Sequence, residues 1–158
     1  MKLVPVSFNE LSDITYSVSL APHERYSTPE FAVVKFTGSY RDGAAGKPDA
    51  LFLIAITEAV QKAWFTTSLI IDFSDLKYDW GDEMDWIHDV GQFMPSPCSK
   101  PLAIIVGDQC RDALQTLSPE EYNENCVESF DDAISHIRTR KQDFDRCMDE
   151  WRRNQRAT

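Results

Sequence analysis

The sequence predicts a single α/β domain with a mostly parallel sheet of four or five strands, crossover helices and a long C-terminal helix. Three observations predict it. The chain has 158 residues, a usual length for one domain. Short apolar runs alternate with longer helical patterns, which is typical of a parallel sheet with crossover helices. Residues 67–73 and 101–106 are nearly continuous apolar runs, which favours strands buried on both faces.

Residues 1–30 are predicted to form an N-terminal arm with one strand. Apolar residues alternate with polar ones between positions 14 and 20, which is the pattern of a half-buried strand. Phe31–Thr37 is predicted as a second strand, which ends at Gly38. The first strand or two can be antiparallel, joined through the loop between Pro22 and Pro29.

Four helices are predicted. The first runs from Asp49, as its N-cap, to about Trp64. The second runs from about Gly81 to Phe93, with its inner stripe at positions 84, 87 and 90 or 91, and the third covers residues 109–117. A brief edge strand at residues 126–128 precedes the fourth helix, which Ser129 opens with Asp132 in an approximate capping box.

The C-terminal helix carries a heptad-like apolar stripe, interrupted at Lys141. Its first half is expected to pack on the sheet, as part of a core at residues 31–140. The second half, residues 141–158, is expected either to project and form a homodimer, or to fold back on its own domain. The stripe consists of Phe130, Ile134, Ile137, Phe144, Met148 and Trp151.

Composition and charge exclude several classes of function. Lys and Arg number 16 against 26 Asp and Glu, a formal net charge of -10, so no nucleic-acid partner is expected. The hydrophobic fraction of 42% is enough for a core, which argues against disorder. No run of about 18 apolar residues and no signal-peptide pattern is present, so we expect no membrane partner and a cytoplasmic location.

The four cysteines, at positions 98, 110, 126 and 147, have no spacing typical of a metal site. Two disulfides are arithmetically allowed, but a domain of this length does not need them. Free, mostly buried thiols are therefore the favoured interpretation. No cofactor, no metal ligand and no catalytic residue is predicted, and His23, His88 and His136 lack the neighbours of a metal or catalytic site.

The densest chemical feature is the segment from Asp72 to Asp89, where seven acidic residues face only Lys77. It follows a central strand, where α/β folds place ligands. Three interpretations are a solvated helix start, an acidic surface that binds a basic protein, and a site for a divalent metal or acid/base chemistry. Interleaved tryptophans favour the protein-binding surface. Its predicted residues are Asp79, Trp80, Asp82, Glu83, Asp85, Trp86 and Asp89.

Residues 69–82, with the Asp-x-Ser turn at Asp72 and Ser74, resemble the central strand and switch loop of the STAS domain. Residues 127–134 are similar to the final strand and helix start of that family, and the resemblance covers about residues 31–140. The family includes the anti-sigma-factor antagonists, so the resemblance implies a STAS-like fold and a protein-binding module without catalysis. Antagonists carry a phosphorylated serine in the switch loop. Residues 79–82 contain no hydroxyl side chain, so no such switch is expected here.

Together these features predict a non-catalytic, acidic module that binds a basic protein. The favoured form is an immunity-type inhibitor that neutralises a toxin. The alternative is a STAS-like signalling regulator of the anti-sigma-antagonist type. A second alternative is a metal-dependent enzyme that uses the acidic cluster.

Overall fold

Five strands form one sheet in the order β1-β2-β3-β4-β5, in a computed structural model that describes residues 1–23, 27–90 and 97–156. Strand β1 pairs antiparallel with β2, and the remaining pairs are parallel. The predicted α/β class with a mostly parallel sheet is confirmed. The strands are β1 (Thr15–Ala21), β2 (Phe31–Ser39), β3 (Leu69–Lys77), β4 (Leu102–Val106) and β5 (Cys126–Val127).

Helices cover both faces of the sheet, so that two cores form. Residues from α1, α2 and a 3-10 helix at Met84–Asp89 pack on one face, together with Val34, Ile71 and Ile104 of the central strands. Residues of α4 pack on the other face, against Ile70 and the other apolar strand residues that point to that side. The helices are α1 (Lys47–Trp64), α2 (Arg111–Leu117), α3 (Pro119–Asn125) and α4 (Phe130–Arg156).

The continuous apolar run of β3 follows from this layering. Leu69 and Ile71 belong to the core beneath α1, whereas Ile70 belongs to the core beneath α4. Successive side chains of a strand point to opposite faces, so a strand covered on both sides must be apolar at every position. Residues 69–71 are fully buried, and the prediction of a central strand is confirmed.

The predicted helix at residues 81–93 is wrong. A turn comes first, and only Met84–Asp89 is helical, as a 3-10 helix. Glu83 has a φ of 68°, a left-handed conformation that an α-helix cannot contain. The predicted inner stripe at Met84, Ile87 and Val90 is nevertheless buried. Residues 91–93 of the predicted helix lie outside the described residues.

The predicted capping role of Asp49 is also wrong. Helix α1 begins at Lys47, with Gly46 as its N-cap three residues before Asp49, and Asp49 lies in the first turn. Its carboxylate accepts hydrogen bonds from the backbone N–H of Arg41 at 2.8 Å and from its Nε at 2.9 Å. A buried carboxylate is stabilised better by a guanidinium than by a single backbone amide. Helix α3 was not predicted.

The cysteines are only partly as predicted. Cys110 and Cys126 are free, but Cys98 and Cys147 form a disulfide with a Cα–Cα distance of 5.7 Å. Helix α4 begins beside the carboxyl end of the sheet and runs back along it. The helix therefore brings Cys147 to the segment before β4, which holds Cys98, although 49 positions separate them in sequence.

Helix α4 starts as the capping pattern predicts, since the backbone N–H of Asp132 donates to Ser129 Oγ at 3.1 Å. Ile137 and Met148 of the stripe are buried, and Trp151 is half-buried within the single chain. The second half therefore folds back on its own domain, whereas Phe130 is exposed. The homodimer and the division at residues 30 and 140 stay predictions.

Candidate protein-binding site

The acidic segment begins inside the sheet and not after it. Strand β3 extends to Lys77, so Asp72 and Asp75 lie within the strand. Lys35 of the adjacent strand pairs with both, with its Nζ 2.7 Å from Asp75 and 3.7 Å from Asp72. The part of the acidic segment that follows the strand starts with the loop of residues 78–82, here called the acidic loop.

Two buried tyrosines hold the acidic loop in place. Tyr78 donates its hydroxyl to the carbonyl of Gly81 at 3.1 Å, and Tyr40 donates to the carbonyl of Asp82 at 2.6 Å. Burial raises the pKa of both tyrosines, so that their hydroxyls stay protonated donors. A Cβ at Gly81 would lie 2.6 Å from the Tyr40 ring, so only glycine allows this approach. The loop is thus shaped before any partner binds.

A groove of about 630 Å³ separates the acidic loop from the start of α2. The backbone N–H of Tyr78 donates to the carbonyl of Gln109 at 2.9 Å and joins the two walls at the base. Four aspartates line this groove. Arg111 lies 3.3 Å from one of them, Asp108, so the negative field of the groove is partly balanced. The lining acids are Asp79 and Asp82 on one wall and Asp108 and Asp112 on the other.

Three of the seven predicted binding residues form the first wall of the groove: Asp79, Trp80 and Asp82. The side chain of Trp80 is 61% exposed, although its ring lies against the backbone of Gly43. Asp79 makes an exposed ion pair with Lys77 at 3.0 Å, which contributes little in water. The exposed part of the Trp80 ring is thus a large apolar surface that lies between the carboxylates of Asp79 and Asp82.

The other four predicted residues lie outside the groove. Glu83 pairs with Lys47 at 2.5 Å, and the same ammonium lies 5.7 Å from the centre of the Trp86 ring. Lys47 thus offsets the negative charge of Glu83. Asp85 is exposed, and Asp89 lines a separate cavity of about 130 Å³ beside His88. The groove therefore includes three of the seven predicted residues, and a partner-binding role for the other four stays a prediction.

Two titratable side chains near the acidic segment have shifted pKa values. His88 lies in the smaller cavity, where burial lowers its pKa and Glu121 opposes that shift. Burial also raises the pKa of Cys110, at the base of the groove, to about 11, so that its thiol is protonated. Within residues 1–23, 27–90 and 97–156, no three His, Cys, Asp or Glu side chains are placed to hold a metal ion.

Sequence reasoning missed the second wall of the groove. Asp108, Asp112 and Leu117 belong to the turn after β4 and to α2. Strands β3 and β4 are parallel neighbours, so the segments that follow them must meet at one edge of the sheet. The order of the strands along the chain, together with this rule, is the signal that could have found the second wall.

Comparison with known proteins supports the fold. No family model and no curated protein matches the chain. Among solved structures, the crystal structure of an anti-sigma factor antagonist from Mycobacterium paratuberculosis is similar, with a TM-score of 0.52 and 17% sequence identity. The similarity covers 80% of this chain and 95% of that one. The STAS-like fold is confirmed. In the described part of the chain, no helix is long and apolar enough to cross a membrane.

Proposed function

We propose that the protein is a non-catalytic regulator that binds another protein in the groove between the acidic loop and α2. The observation that carries the proposal is the groove itself, about 630 Å³ in volume and lined by four carboxylates, with Trp80 exposed at its rim. Because the tyrosines and Gly81 fix the loop, little conformational entropy is lost on binding.

The chemistry of the groove favours a partner with a basic surface. The net negative charge of the groove, which Lys77 and Arg111 offset only in part, attracts Lys and Arg side chains and accelerates encounter. Trp80 supplies an aromatic anchor, and Ala113 and Leu117 offer an apolar surface on the facing wall. The partner is therefore expected to place a cationic segment along the groove and an apolar side chain against Trp80.

The similar structure favours the regulator over the toxin inhibitor. That neighbour is named as an anti-sigma factor antagonist, and the target in its name is a protein. A protein-binding role of the same kind is proposed for this chain. Neutralisation of a toxin stays a prediction, as do the cytoplasmic location and the homodimer.

Site-specific photo-crosslinking tests the proposal. A photoreactive phenylalanine analogue replaces Trp80 in one variant and Phe130 in another, since both side chains are exposed. In a lysate of the source cells, we expect a crosslinked protein from position 80 and none from position 130. Raising the salt from about 50 mM to about 500 mM should reduce the yield, because screening weakens the attraction.

A pair of charge reversals supplies the matched control. Asp82→Lys with Asp112→Lys changes one acid on each wall of the groove, and we expect the crosslink yield to fall at least about tenfold. Asp131→Lys with Glu150→Lys changes the net charge equally, at exposed positions outside the groove, and should preserve the yield. Equal losses in the two double variants, or equal crosslinking from positions 80 and 130, would refute the proposal.

A further inference from the structure

Helix α4 is longer than the strands beneath it. Its 27 residues span about 40 Å, whereas the nine residues of β3 and the five of β4 span about 30 Å and about 17 Å. Ala133 and Ile137 of the first half belong to the core with Ile70 and Ala103. The second half, residues 141–156, therefore extends past the strands on which the first half packs.

The ion pairs of α4 divide in the same way. The first half is joined to other elements, since Arg138 binds Glu30 at 2.9 Å and Arg140 binds Glu124 at 2.7 Å. The ion pairs of the second half join residues about one turn apart on the helix itself. They are Lys141 with Asp145, Arg146 with Asp143, and Arg152 with Asp149.

An open pocket lies beside the middle of α4. Its volume is about 440 Å³, and its walls include Ile137 of the first half and Lys141 and Asp145 of the second half. At this pocket the start of the second half is not packed closely against the rest of the domain. Met148, only 6% exposed, is the buried apolar side chain of the second half, and it follows Cys147 directly.

We propose that the disulfide between Cys98 and Cys147 is a reversible clasp, whose reduction releases residues 141–156 from the domain while the sheet stays folded. A dithiol reductant supplies two electrons and two protons. The S–S bond breaks, each cysteine sulfur gains one hydrogen, and the reductant is oxidised to its own disulfide. Because Ala133 and Ile137 keep the first half packed on the sheet, Cys147 stays tethered near Cys98. A small-molecule disulfide can then accept two electrons and two protons from the two thiols and join them again.

Two further observations support the clasp. Cys147 is half-buried, whereas Cys98 is 8% exposed, so Cys147 is the more accessible cysteine of the pair. Of the free thiols, Cys110 is buried and Cys126 is half-buried, and burial raises the pKa of Cys110 to about 11 and that of Cys126 to about 12. Neither is a competent thiolate near neutral pH, so neither competes in exchange with the disulfide.

Hydrogen exchange of the full chain tests the clasp. Amide protection is measured by mass spectrometry before and after treatment with dithiothreitol, and free thiols are counted in parallel. We expect two additional thiols per chain and at least about a tenfold faster exchange in residues 141–156. The amides of β3 and β4 should exchange at unchanged rates. Reoxidation should restore the protection of the helix.

The variant with Cys98→Ser and Cys147→Ser is the matched control. Without reductant it should show the fast exchange of residues 141–156, and dithiothreitol should not change it further. The clasp is wrong if dithiothreitol releases no additional thiol, or if residues 141–156 keep their protection after reduction. It is also wrong if the helix and the sheet lose protection together, because the disulfide is then a structural crosslink.

Discussion

Substitution of Asp49 by Asn tests how the N-terminal half of the domain is held together. The carboxylate is 1% exposed and accepts hydrogen bonds from the backbone N–H, Nε and Nη2 of Arg41 at 2.8, 2.9 and 2.7 Å. Nη2 also donates to the carbonyl of Leu11, so the same guanidinium ties the N-terminal arm to α1. An asparagine keeps the volume but removes the charge and one acceptor.

The expected loss is about 3 kcal/mol. Breaking a buried ion pair costs about 3–5 kcal/mol, and the lower figure applies because the Arg41 side chain is itself half-exposed and can be hydrated. For a chain of this length, such a loss lowers the melting temperature by about 9 °C. Urea unfolding followed by circular dichroism measures the free energy. Asp42→Asn, at an exposed neighbouring position, should cost less than about 0.5 kcal/mol.

The pH dependence gives a second readout of the same pair. Burial alone would raise the pKa of Asp49, but hydrogen bonds from Arg41 and Ser12 outweigh it, and the pKa is lowered from 3.8. The stabilisation is therefore fully present above the unfolded-state pKa and is lost as the pH falls through the folded-state value. The difference between the wild type and Asp49→Asn should shrink in that acidic range. A loss below about 1 kcal/mol at neutral pH, or a difference that does not change with pH, would refute this account.

Three other outcomes are expected. Gly46→Ala should reduce the free energy of unfolding, measured in urea, by about 1–3 kcal/mol. The reason is that the added Cβ would lie 2.1 Å from the Tyr40 ring and 2.4 Å from the Arg41 carbonyl, so an unchanged urea midpoint would contradict this packing. Burial lowers the pKa of His88, so the unfolded chain binds this proton more readily than the folded chain does. Stability should therefore fall as the pH drops below 6.5, and the urea midpoint of His88→Asn should depend less on pH across this range. Iodoacetamide should modify Cys110 far more slowly in the native protein than in urea, since burial raises its pKa to about 11, and equal rates would show an accessible thiol.

The sheet was predictable because its signals are local. Continuous apolar runs predicted β3 and β4, and alternation over residues 14–20 predicted β1. The predicted helix at residues 81–93 is wrong because Glu83 adopts a left-handed conformation, which no local sequence pattern indicates. The acidic and apolar residues of that segment fit a helix as well as they fit a turn, and only the contacts with Tyr40 and Gly43 select the turn.

The candidate site was half predictable for a similar reason. The acidic loop is contiguous in sequence, so its charge was evident. Asp108 and Asp112 join it only through the parallel pairing of β3 and β4. Asp49 was assigned to a cap because its carboxylate precedes an apolar run, whereas its true partner, Arg41, lies eight positions earlier. Prediction of the disulfide would have required the direction of α4 relative to β4, and no local sequence pattern gives that direction.

The bracing of the acidic loop has a consequence for assembly of the native state. Its supports, Tyr40 and Gln109, lie about forty residues before it and about thirty residues after it, on different elements. No excised peptide can reproduce this arrangement, and a nascent or damaged chain lacks it until strands from both halves have come together. If a partner binds at this surface, it can therefore bind only a chain that has finished folding, and an incompletely folded copy would not compete for that partner.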